Sequence, residues 1–395
     1  MTRWLPLLLG FLQAINPLST DMYLPAFPAI EASLGSGTGG AQVTLGAWFL
    51  GLAVGQLTQG TLSDRFGRRG PLIVGTLVYA AASVGCALAW DVASLSAFRF
   101  LAAFGGSASA VIVRAVVRDV AQGFEAARIM SRLILIMGAA PILAPSLGGA
   151  LLGVGGWRTI FWVLSAYGAL SAFLVWRHMP DTLPPERRLR LGPAALLAGY
   201  VTVLSERTFL SNTLLGSAAM VCVFAYIAGA PAAFILAGGL SPGMFAAVFG
   251  GMAAGFIGGA QFNPALIARY GPGRALLGAA LAVLTAALGL CGVVATGVGG
   301  VWGMFVCILA LLAATSFVFP NSAVGALARH GHRAGTASAL MGTVQFVVAA
   351  GAALLVGVVA DGTARPMAAV VLLGAVMMVA VDLWRARAAR GAAGR

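Results

Sequence analysis

The chain has 395 residues, of which 60% are hydrophobic and only 9% charged, with a mean hydropathy of +0.96. Soluble domains carry about 25% charged residues, so this composition excludes a water-soluble globular protein and indicates an integral membrane protein. The net charge of +13 comes from arginine alone, without a single lysine; it sits in short clusters between apolar runs, as in membrane loops, and not on one polar domain as nucleic-acid binding would need.

Twelve apolar segments approach the roughly 20 residues that a bilayer core requires. They are 4–30, 41–63, 71–90, 93–117, 127–152, 158–176, 209–237, 243–268, 275–296, 301–327, 335–360 and 366–384. The first has a signal-like start, but its apolar character continues past Pro17 to Ile30, so it reads as a span and not a cleaved signal. All but three arginines fall on the side of the termini. The exceptions are Arg99 inside a span and Arg158 and Arg365 on the opposite side. The positive-inside rule then places both termini in the cytoplasm. The polar stretch 177–191 separates six spans from six, and the apolar 192–209 after it reads as an interfacial helix. The expected organisation is a six-helix bundle at 1–176, a cytoplasmic linker at 177–208 and a second bundle with a short tail at 209–395.

The two halves resemble each other. Arg65, Phe66 and Gly67 match Arg269, Tyr270 and Gly271, and Met137-Gly138 matches Met341-Gly342, both at an offset of 204. A shared offset at distant points predicts a duplicated six-helix unit, as in many secondary transporters with a mid-membrane substrate site. The fold class is therefore all-α, with twelve transmembrane helices in two pseudo-symmetric bundles. The chemistry is asymmetric: Asp21, Asp64 and Arg99 map to Ala225, Ala268 and Gly303, which places ion coupling in the first half.

Within "STDMYLPAFPAI", Asp21 is the one acid deep in a span, and Arg99 the one deep base. Counted from the outer ends of spans 1 and 4, both lie roughly 12–15 Å deep at 1.5 Å per residue. They can share a site. Intramembrane charges are costly and usually functional, so the pair reads as a proton switch, with a static ion pair between spans 1 and 4 as the alternative. Pro17, Pro25 and Pro28 predict a kinked helix around Asp21.

"GTLSDRFGRRG" resembles the signature loop of the major facilitator superfamily, with Gly60, Leu62, Asp64, Arg65, Gly67, Arg68 and Arg69 all in place. The resemblance implies a charge latch of Asp64, Arg68 and Asp119 on the inner side. "RFLAAFGGSASA" at Arg99 resembles the superfamily's span-4 motif, although its usual glutamine is absent. "GAAPILAPSLGGAL" resembles the span-5 antiporter motif through Gly138, Pro141, Pro145, Gly148 and Gly149, with Ala144 where a glycine is usual. "TDMYLPAFPAI", "RAVVRD" (through Arg118 and Asp119) and "AGTASALMG" are similar to the Bcr/CflA family of drug:proton antiporters.

That resemblance implies export of small hydrophobic or amphipathic antibiotics, of bicyclomycin or chloramphenicol type, from bacteria, with Asp21 as proton carrier. A proton-coupled importer or uniporter of a metabolite is the alternative on the same fold. The implied partners are a small-molecule drug, protons and the lipid bilayer of the inner membrane. The chain is expected to act as a monomer, without cofactor, metal or nucleic acid. Tyr23, Trp48, Phe49, Gln56, Met137, Tyr226, Asn321 and Gln345 are mid-span residues that can offer ring surface or a hydrogen bond to a substrate. "GLSPG" matches the G-x-S-x-G of hydrolases at Ser241. The histidines, His178, His330 and His332, are expected on the opposite side of the membrane, so it reads as a turn and the chain as no enzyme.

Overall fold

A computed structural model of the chain describes residues 4–121, 123–188, 193–330 and 334–393. Arg3, Arg190, Arg333 and Arg395, which enter the charge argument above, and His332, which enters the hydrolase argument, lie outside the described residues. Every regular element described is helical. In hydrocarbon each backbone polar group must find its partner within the protein, and a helix does this within one segment.

The chain divides into two compact units, Met1–Gly192 and Pro193–Arg395. The first contains α1 (Leu5–Gln13), α2 (Ile15–Asp21), α3 (Phe27–Leu34), α4 (Gly40–Phe66), α5 (Arg69–Ala87), α6 (Val92–Val120), α7 (Gly123–Gly155) and α8 (Trp157–His178). The second contains α9 (Pro193–Leu204), α10 (Arg207–Ala230), α11 (Pro242–Gln261), α12 (Asn263–Thr296), α13 (Gly300–Thr315), α14 (Val318–Leu327), α15 (Ala334–Val358) and α16 (Arg365–Ala393). Among the described residues, eleven helical stretches are long and apolar enough to cross a membrane.

The remaining predicted span, 4–30, is not one helix. It consists of α1, α2, a 3-10 turn at Leu24–Ala26, and α3. The prolines account for each interruption. Pro17, Pro25 and Pro28 have no N–H to give to the carbonyls of Gln13, Asp21 and Leu24, and the helix breaks after each of these turns. The eighth segment also differs from expectation. Its helix stops at Gln261 and not at 268, because Asn263 and Pro264 start α12 there.

The internal repeat is visible in the backbone. Gly67 (φ 91°, ψ 171°) and Gly271 (φ 76°, ψ 159°) adopt the same positive-φ conformation at matching positions. Only glycine takes this conformation without strain. Small residues let neighbouring helices approach closely. A Cβ on Gly51 of α4 would lie 2.3 Å from the Phe100 carbonyl oxygen of α6, and one on Gly259 of α11 would lie 2.5 Å from that of Ala313 in α13. The Gly251, Gly255 and Gly259 stripe thus packs α11 on α13, with only Gly251 at ordinary contact distance. Asp91 and Ser94 cap α6 reciprocally: Ser94 N donates to Asp91 Oδ1 at 2.7 Å, and Asp91 N to Ser94 Oγ at 3.2 Å.

Candidate transport site and its supports

Asp21 is the last residue of α2, and the turn after it leads into the Leu24–Ala26 3-10 segment. Its side chain is buried, at 4% exposure. Among the described residues its carboxyl makes no hydrogen bond and no ion pair, so it is not paired with Arg99. Arg99 reaches the same break by another route. Its Nη1 donates to the Ser19 carbonyl at 2.8 Å, an acceptor freed because the chain leaves the helix before Tyr23 can donate to it.

The Arg99 guanidinium lies 4.0 Å from the Tyr23 ring centre, 4.6 Å from that of Trp48 and 5.9 Å from that of Phe161. Arg99 is 1% exposed, and its Nε and Nη2 make no protein hydrogen bond; the ring faces take their place as the negative partner. Ser19 Oγ and the Tyr79 hydroxyl are 2.6 Å apart, which fastens α2 to α5. The break that carries Asp21 is thus gripped through the backbone on one side of the acid and through the Tyr23 ring on the other.

The candidate cavity residues fall into separate groups. Tyr23 and Trp48 are buried around Arg99, and the Tyr23 hydroxyl donates to the Ala41 carbonyl at 3.1 Å. Phe49 and Gln56 are buried on α4. Met137 is 47% exposed on α7, where its sulfur accepts from Gln13 Nε2 at 3.0 Å. In the second unit Tyr226 stacks on Phe249 with ring centres 5.5 Å apart. Gln345 lies against Gly216. Asn321 Nδ2 donates to Asn263 Oδ1 at 2.8 Å and to the Phe317 carbonyl at 2.7 Å.

The span-5 motif meets the break directly. Pro141 and Pro145 lie inside α7, and a Cβ on Gly148 would stand 1.7 Å from the carbonyl oxygen of Met22, the residue after Asp21. No side chain larger than hydrogen fits there without moving that backbone. Gly138 and Gly149 lie on the same helix.

The loop between α4 and α5 forms the charge cluster that its motif implied. Arg68 Nε donates to Asp119 Oδ2 at 2.8 Å, and Arg68 Nη1 pairs with Asp64 and with Ser63 Oγ. Burial works against the Arg68 charge, but Asp119 and Asp64 outweigh it and hold the guanidinium above its ordinary range. Arg69 bonds the Trp176 carbonyl. Arg65 lies over Phe66, and Arg118 makes no ion pair among the described residues. Gly60 faces Val111 at 3.5 Å, an ordinary contact.

The motif gave no hint of Asp181 in the linker. Asp181 Oδ1 accepts from Arg68 N at 2.8 Å, Oδ2 pairs with Arg188 at 3.0 Å, and Thr182 Oγ1 donates to Asp119 at 3.1 Å. A Cβ on Gly67 would fall 2.0 Å from Asp181 Oδ2. The linker is therefore fastened to this charge cluster. In Asp181→Ala the linker should lose this anchor, and tryptic cleavage after Arg187 or Arg188 should quicken by about fivefold, as expected for one charge-assisted hydrogen bond of ~1 kcal/mol at a half-exposed site. Cleavage at the native rate, followed on the full chain in detergent, would show that Asp181 does not hold the linker.

In the second unit Glu206 caps α10, accepting from Phe209 N at 3.0 Å, and lies 3.1 Å from His330 Nε2. Burial pushes the Glu206 carboxyl up, but these hydrogen bonds outweigh it and hold the group below its usual range. Ser241 accepts from Met244 N at 3.3 Å as the cap of α11, the turn expected of "GLSPG". Among the described residues no three His, Cys, Asp or Glu side chains are grouped to hold a metal.

Residues 9–353 match the family model of the Major Facilitator Superfamily. The chain is 34% identical over 386 residues to an uncharacterized MFS-type transporter, YdgK, of Bacillus subtilis, covering 94% of this chain and 93% of that one. It is 29% identical to a bicyclomycin resistance protein homolog of Haemophilus influenzae, over 95% and 94% of the two chains. It is 31% identical to a chloramphenicol resistance protein of Pseudomonas aeruginosa, over 85% and 79%. Among solved structures it resembles a bacterial homolog of the human lysosomal transporter Spinster, with TM-score 0.75, 18% identity and 97% and 96% coverage. It also resembles a D-xylose-proton symporter, with TM-score 0.71, 15% identity and 94% and 96% coverage. At these identities the two structures speak for the fold alone. The helical architecture, the loop latch and the match along most of the chain agree: the protein belongs to the major facilitator superfamily, a family of membrane transporters and not of enzymes, and its relatives include drug-resistance proteins.

Proposed function

We propose that the chain is a proton-coupled exporter of small hydrophobic or amphipathic antibiotics in the bacterial inner membrane, working by alternating access with both termini in the cytoplasm. The observation that carries this reading is Asp21: a buried carboxyl with no cation and no donor on it, placed at a helix break. The neutral acid suits such surroundings, and ionisation needs water or a cation to arrive. A conformation that wets the break from the cytoplasm releases the proton as drug binds; one that opens outward takes a proton up as drug leaves. The names of the bicyclomycin and chloramphenicol resistance relatives support the substrate class, and the resemblance of the α7 stretch Gly138 to Leu151 to the antiporter motif supports exchange over import.

One inward proton at about 150 mV supplies roughly 3.5 kcal/mol, enough for a gradient of a few hundred for a neutral drug. The test is efflux from susceptible cells lacking their own exporters, across an antibiotic panel, with and without an uncoupler. Export that the uncoupler stops is expected. A panel in which no compound is exported favours the metabolite transporter.

A further inference from the structure

The second copy of the signature loop has kept its shape and one of its arginines but lost its acids. Gly271 repeats the Gly67 conformation, and Arg269 and Tyr270 repeat Arg65 and Phe66. The positions that match Asp64 and Asp119 are Ala268 and Ala323. Among the described residues neither Arg269 nor Arg274, both exposed, has a carboxylate within ion-pair distance.

Beside Arg269 lies an open cleft of about 670 Å³. Its lining is mostly apolar, with Phe262, Ala265, Leu266 and Phe317 among it, and includes Arg269 and Tyr270. Phe262 is 66% exposed. The Asn321–Asn263 hydrogen bond ties the start of α12, next to Phe262, to α14. A cation that among the described residues has only the face of the Tyr270 ring as partner, 5.4 Å away, and that lines an apolar cleft, calls for a ligand with the complementary pair of features, a negative head and a hydrocarbon tail.

We propose that this cleft binds an anionic phospholipid of the leaflet on the side of the termini, with its phosphate on Arg269 and an acyl chain along Phe262, Leu266 and Phe317. The loop interrupts α12 at Gly271, between the predicted spans 243–268 and 275–296 and so at a membrane surface, and the arginine distribution places it on the cytoplasmic side. There anionic lipids attract basic segments, and basic pockets between helices take their head groups. The volume is that of a ligand site. The proposal does not depend on which drug the protein exports.

The test is native mass spectrometry of the purified full chain from micelles holding equal amounts of phosphatidylglycerol and phosphatidylcholine. The native chain should retain phosphatidylglycerol in preference. Arg269→Gln should lower that retention about fivefold, the worth of one arginine at a membrane surface. Ala265→Trp, which fills the cleft and keeps both arginines, should lower it as well. Arg365→Gln, on the opposite side, should change nothing. Equal retention of the two lipids by the native chain, undiminished retention in Arg269→Gln, or an equal loss in Arg365→Gln would overturn the proposal.

Discussion

Cells carrying Asp21→Asn should lose all uphill drug export while keeping the protein in the membrane. Asparagine matches the carboxyl in size and is neutral, as the protonated acid is. Among the described residues no ion pair is broken and no hydrogen bond lost, so folding should be spared. What goes is the site that alternates between two protonation states. The proton gradient then has no hold on the cycle, and a gradient of a few hundred collapses towards equality. Movement of drug down its own gradient should persist. The check is intracellular drug at matched membrane levels of the two proteins, with counterflow in vesicles for the downhill limb. Full uphill export by Asp21→Asn would move the proton site elsewhere, with Asp119 the first place to look.

Gly148→Ala should be the most damaging conservative change on α7. The added methyl group would sit 1.7 Å from the Met22 carbonyl oxygen and 2.6 Å from its carbonyl carbon. Backbone cannot rotate out of the way as a side chain can. Overpacking of this kind costs about 1–3 kcal/mol. Here the displacement falls on the residue next to Asp21, and misplacing a reacting group by about 1 Å can cost on the order of a hundredfold in rate. Export is expected to fall at least about tenfold with the protein still inserted. Gly153→Ala, on the same helix with nothing within 4 Å of the new atom, should export like the native chain. Equal export by the two variants would show that α7 does not set the position of the break.

Asp21 stood out in the sequence because a carboxylate in an apolar run is costly and usually functional, and the three prolines around it pointed to a kink there. The Asp64, Arg68 and Asp119 cluster was legible through the motif of its loop. The contacts that complete the site were not. A backbone carbonyl has no signature, so nothing marked Ser19 as the acceptor for Arg99. Phe161 is one of 21 phenylalanines and gains its place over the guanidinium only when α8 packs. Nothing in the sequence singled out Asp181, because its partner Arg68 is 113 residues away. The equal depths assigned to Asp21 and Arg99 suggested a shared site, with a direct ion pair as the alternative to a proton switch. The fold instead joins them through the chain: the arginine holds the carbonyl two residues before the acid and the ring two residues after it. The first span was drawn as one helix because hydropathy averages over the breaks that proline makes.

The central claim is that drug binding and proton binding compete at Asp21. The most direct measurement is proton release on drug addition, using the purified full chain in weakly buffered detergent near neutral pH and a compound that the efflux panel identifies. Linkage requires that a ligand favouring the ionised form expel the proton. The native chain should release up to about one proton per drug molecule bound, and Asp21→Asn should bind drug and release none. Release of the native amount by Asp21→Asn would contradict the account.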